Sequence, residues 1–220
     1  DVTVRSSAVS ASGARAEAGA IIQLERSELT STGAATSTSS TAVLHAVGGS
    51  SILADAVHAS AIGNYIGGIR ADGSGSKVTL NQGSVTLKGA GSVADFTSAA
   101  RAMNGGAVSI EGSELSSQGT FSHGVSVEGN GSRSTVTGSS IAVGGARAHG
   151  VYVNDGASAE VSSSDIRLDP AASAVGPWGL GALVEGQGSR LRLNDSEVRT
   201  SQKTSYGVRV LAGAELELNN

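Results

Sequence analysis

The pentapeptide DGSGS at 72–76 sets a serine between glycines after an aspartate, which is the neighbourhood of a serine nucleophile. Nucleophilic catalysis would need Ser74 or Ser76 beside a histidine that a carboxylate orients. The order Asp-Gly-Ser-Gly puts no serine directly after the aspartate, and the nearest histidine in sequence, His58, belongs to another repeat. The string also recurs, as EGNGS at 128–132 and EGQGS at 185–189. A chain does not need three copies of one nucleophile, but it does reuse a turn. Glycine supplies the positive φ that such turns require. Val at Gly73 and Gly75 is therefore expected to damage folding.

The histidines come next. His123 and His149 each directly precede Gly-Val, one repeat apart, and Leu180 and Tyr206 hold the same place in later repeats. If repeats stack as paired strands, the two imidazoles lie one above the other on the surface, about 5 Å apart. A metal centre would want a third His, Asp or Glu, and this column supplies none, so no metal and no cofactor is expected. Contact with a ligand through His123, His149 and Tyr206 is the chemistry left open. His45 and His58 read as isolated positions.

Carboxylates matter because sugar hydrolysis uses two acids at a set distance. Glu28, Glu114, Asp165 and Glu197 recur at one place in the repeat, but Ser84 and Ser140 interrupt them. An interrupted column of acids is no calcium cage, which gathers six or more oxygens around one point. It reads as a solvated corner, and no catalytic residue is expected. The stretch RLDPAASAVGPWGLG, from Arg167 onward, holds both prolines and the single tryptophan. Trp178 and Asp169 there are candidate contacts for a sugar or a protein, since loops on a rigid scaffold carry specificity.

These residues are positioned by a repeat. Eight segments share one form: apolar, any, apolar, a polar corner, then an apolar residue five positions on. The five-residue steps are Val4–Val9, Leu24–Leu29, Ile52–Val57, Leu80–Val85, Ile110–Leu115, Val136–Ile141, Val161–Ile166 and Leu193–Val198. The last members are 20, 28, 28, 30, 26, 25 and 32 residues apart. A constant corner between variable stretches is a constrained corner. Further strands precede each segment, as in HGVSVEGNG and HGVYVNDGA.

Alternation with period two means strands with one buried face, and no helix-capping signal recurs. A period near 27 with three short strands predicts an all-β parallel β-helix, a solenoid of about eight coils and roughly 35–40 Å. A propeller blade, the main rival, needs about 40 residues. One domain spans 1–220, with protruding loops near 30–41, 86–100 and 167–180.

Composition agrees. The chain of 220 residues has 32 glycines, 3% aromatic and 15% charged residues, so its core must be built from small and β-branched side chains. The net charge of −4 argues against nucleic acid as partner. The absence of cysteine excludes a disulfide scaffold, a thiol nucleophile and a Cys-based zinc site. No apolar run is long enough for a membrane-spanning helix. The chain starts and stops in mid-pattern, as expected of a piece of a longer protein.

The strings HGVYVNDGASAEVSSSDI and GVSVEGNGSRSTVTGSSIAVGG resemble the passenger domains of bacterial autotransporters, in particular the pertactin-like group. The resemblance covers essentially the whole chain and rests on repeat style, not on an invariant motif. It implies a right-handed parallel β-helix, secreted and displayed on a Gram-negative cell surface, joined to the outer membrane only through a C-terminal translocator barrel that is missing here. It implies adhesion to a host surface protein or glycan, or self-association between cells, without enzymatic activity. No Arg-Gly-Asp tripeptide occurs, so integrin-type adhesion gains no support. The alternatives are a carbohydrate-active β-helix enzyme, lyase or hydrolase, and a purely structural stalk.

Overall fold

Each repeat contains too little apolar surface to bury alone, so it must stack on its neighbours. The computed structural model, which describes residues 2–36, 41–93, 95–169, 179–201 and 205–220, shows the result. The described residues form three eight-stranded parallel sheets, each adding one strand per coil. Sheet A runs from the strand Thr3–Ser6 to Glu197–Thr200, sheet B from Ala14–Ala16 to Tyr206–Val210, and sheet C from Ile21–Glu25 to Glu215–Asn219. The chain passes through A, B and C in turn, eight times. It is a parallel β-solenoid.

Alternation sets the inside. In the coil-three strand Lys77–Asn81, Val78 and Leu80 are buried while Lys77 and Thr79 face out. Equivalent residues stack in columns, as Leu80, Ile110, Val136, Val161 and Leu193 do in sheet C. Each such side chain contributes about 1.5–3 kcal/mol by leaving water.

The constant corner is the link from sheet C to sheet A. It always has two residues between strands, for example Gln82–Gly83 and Gly138–Ser139. The first takes a left-handed conformation whatever its type, as at Arg26 (φ 43°) and Asp195 (φ 45°). The second is usually a buried serine that closes two bonds at once. Ser139 Oγ donates to the Thr137 carbonyl at 2.8 Å and accepts the Ser113 N–H at 3.1 Å. Ser113 Oγ repeats this with the Glu111 carbonyl and the Gly83 N–H. A serine ladder thus ties successive corners together.

Register corrects the expected phase in the first two coils. Val4 pairs with Leu29, so it belongs to sheet A and not to the column of Leu24. Val9 lies outside any strand and is 70% exposed. At the corner from coil two to coil three, Ala54 and Ala59, not Ile52 and Val57, fall in the columns of Leu24 and Leu29. Every strand reads apolar-any-apolar, so the pattern alone fits more than one phase. The sheet A column Val4, Leu29, Ala59, Val85, Leu115, Ile141, Ile166, Val198 has steps of 25–32 residues throughout.

The loops lie between sheets A and B. The second runs over 89–96 only, because Thr86–Lys88 and Thr97–Ala100 are strand. The others are likewise shorter than 30–41 and 167–180: Thr30–Ser31 and Arg167–Leu168 end strands, and part of each loop lies outside the described residues.

Candidate functional site

DGSGS is the turn from sheet B to sheet C. Gly73 (φ 93°) and Gly75 (φ 78°) take the left-handed region. Ser76 is buried, donates to the Asp72 carbonyl at 2.7 Å and accepts the Gly49 N–H at 3.1 Å. Its hydroxyl is committed to the turn.

The outer face of sheet B carries His45, Arg70, Arg101, His123, His149 and Tyr152. Its strands change face at a glycine, since a Cβ on Gly124 would point inward, 2.3 Å from Ile141 Cγ2. His123 therefore faces outward although Val125, two residues on, lies in the core. The His123 and His149 rings stack at 4.8 Å with planes 9° apart, as the repeat spacing predicts. They are not a surface stack, however. His123 is only 4% exposed, with Phe96 edge-on at 4.6 Å and Tyr152 at 5.3 Å. Phe96 comes from the 89–96 loop of the preceding coil, which folds over the sheet. Tyr152, Leu180 and Leu183 with Phe96 and Leu211 form a second, small apolar cluster outside the solenoid core.

The imidazoles are wired into the backbone. His123 Nδ1 accepts the His149 N–H at 2.9 Å, and His149 Nδ1 accepts the Leu180 N–H at 3.1 Å. Each Nδ1 lone pair is occupied, so the neutral rings carry their protons on Nε2. Burial lowers the His149 pKa to about 4. Burial, the neighbouring His149 and Arg101 lower that of His123 well below the usual imidazole range. A neutral ring protonated on Nε2 has no lone pair left for a metal. Among the described residues no three His, Cys, Asp or Glu side chains converge as metal ligands.

Arg101 anchors the covering loop. It grips Glu128 with two bonds (2.8 and 3.1 Å), reaches Asp95 at 3.3 Å and lies 4.7 Å over the Phe96 ring. Burial alone would lower its pKa, but the Glu128 and Asp95 carboxylates outweigh that and raise it. Tyr152 donates to Glu185 at 2.6 Å, and burial together with that bond pushes its phenol up. His45 is also buried, between Arg15 and Arg70, with its pKa lowered to about 4 by burial and then by those two cations.

The five candidate contacts thus separate. His123, His149 and Tyr206 share one column, with Leu180 before Tyr206. Tyr206 is 62% exposed. Asp169 lies past the sheet A strand, ion-paired to Arg167 at 2.8 Å. Trp178 lies outside the described residues. The acids Glu28, Glu114, Asp165 and Glu197 do form one interrupted sheet A column, and Arg199 sits between the last two. Tyr152 and Arg101 carry no signal in the repeat beyond their outward parity.

Sheet C has an open outer face. A groove of about 520 Å³ runs over coils five to eight, with Ser158 and Thr135 in its wall between Arg133 and Arg190. Two exposed ion pairs, Arg190–Glu215 at 3.1 Å and Arg192–Glu217 at 2.9 Å, close one end.

Comparison of the chain with known protein families, with curated proteins and with solved structures found no match.

Proposed function

We propose that this chain is part of a non-enzymatic, pertactin-like autotransporter passenger, secreted and displayed on a Gram-negative cell, where it acts in adhesion or self-association. One observation carries the reading. Three regular ladders make a stiff rod whose sheet C face presents long columns of charged, hydroxyl and amide side chains to solvent. Polar contacts repeated coil by coil suit multivalent attachment, in which many weak contacts add to firm binding. Stability that adds coil by coil suits folding progressively from one end during export. The lack of cysteine suits a chain that crosses membranes unfolded.

The test is display of the full-length protein on cells that lack it. The expected result is clumping of those cells or attachment to host cell layers. Absence of both, or release of reducing or unsaturated sugar ends from a polysaccharide panel, overturns the reading. The first outcome would leave a structural stalk, the second a carbohydrate-active enzyme.

A further inference from the structure

The register of sheet C places Lys77, Ala107, Arg133, Ser158 and Arg190 in one outward column, on coils three to seven. Cations therefore occupy every second coil, with a small side chain between each pair. At about 4.8 Å per strand, successive cations stand roughly 9.6 Å apart. Lys77 and Arg133 have no ion-pair partner among the described residues. Arg190 pairs with Glu215, but both are about two-thirds exposed (67% and 66%), and such pairs are weak enough to be exchanged for another anion. The small Ser158 leaves the groove open between Arg133 and Arg190.

The flanking columns complete the picture. Beside the cations run Thr79, Ser109 and Thr135, then Asn81, Thr137 and Ser162 on the far side. These are hydroxyls and amides that pair with sugar hydroxyls. Acids enter toward the far end: Glu160, in the column of Thr135, is held by the Asn194 amide at 2.8 Å, Glu111 lies in the far column, and Glu215 ends the cation column in coil eight, paired with Arg190. No aromatic side chain stands in these three columns over coils three to seven, so bases have nothing to stack on. Phosphates of a duplex strand recur every ~3.4 Å and do not match the cation spacing.

The geometry points to a binding track for an extended acidic polysaccharide, one negative group per disaccharide, lying along the solenoid axis over Lys77, Arg133 and Arg190. This rests on the adhesion reading above and names its ligand class.

The probe is a fluorescent oligosaccharide of alternating glucuronate and N-acetylglucosamine, titrated into the protein at low salt. A sulfated analogue, a neutral glucose oligomer and single-stranded DNA are the comparison arms. Binding of the acidic sugars, weakened by salt and by about tenfold in Lys77→Ser/Arg133→Ser, is the expected result. Lys88→Ser, an exposed charge on sheet A, should change nothing. Both variants should keep the parent urea midpoint. The track is refuted if the acidic sugars fail to bind, if the double variant binds as well as the parent, or if the neutral sugar or DNA binds as tightly. Cells displaying the same double variant separate this from the broader reading. If they still adhere or clump while the oligosaccharide does not bind, the track fails and the adhesion reading stands.

Discussion

Acid should open sheet B before it unfolds the rod. The perturbation is a fall from pH 7 to pH 5. In the folded chain the His149 pKa is about 4, against an ordinary 6.5, so the unfolded state binds the extra proton. Stability from the neutral ring is complete above about 6.5, is lost as pH falls from there to about 4, and is constant below. For His149 alone the loss is about 2 kcal/mol at pH 5 and about 3 kcal/mol at pH 4. Geometry gives the cause. Burial disfavours the charged ring, and a proton on Nδ1 would also face the Leu180 N–H that Nδ1 now accepts. In a solenoid such a loss acts on the local coils first. Hydrogen exchange at the Leu180 amide and urea unfolding, each at pH 7 and pH 5, read it. His149→Asn keeps an acceptor, since Asn Oδ1 takes the place of Nδ1, but does not titrate. Its urea stability should fall by about 2 kcal/mol less than the parent's between the two pH values. An equal fall in both proteins, or a His149 imidazole titrating near 6.5 by NMR, refutes the reasoning.

Two further predictions concern the coil-to-coil contacts. A Cβ on Gly119 would sit 2.1 Å from the Gly89 carbonyl oxygen, whereas one on Gly207 meets nothing within 4 Å. Gly119→Ala should cost about 3 kcal/mol or more in urea unfolding and Gly207→Ala less than about 0.5 kcal/mol; similar values would contradict the register. Ser139→Ala removes an acceptor from the Ser113 N–H and a donor to the Thr137 carbonyl, and should lower stability by about 1–3 kcal/mol, with faster exchange at the Ser113 amide.

The solenoid, its three strands per coil, the constant polar corner and the glycine turn at DGSGS were legible in the chain. Each is set within a few residues, by alternation of period two and by the positive φ that a turn demands. The His123–His149 stack was legible too, because a fixed repeat puts equivalent residues in register. Phase in coils one and two was not, since Val4 and Ile52 suit more than one column and only stacking against Leu29 and Ile22 decides. Burial of the histidines was not either. It depends on Phe96, a loop residue 27 positions before His123 and 56 before Tyr152, laid over the outer face and held through Arg101 and Glu128. No local pattern encodes that cover. The Lys77–Arg133–Arg190 column lies between the two cases: its residues are plain in the sequence, but register is what sets their charges in line. Strands and turns answer to neighbours in the chain, while a covered face or a charge column answers to neighbours in space.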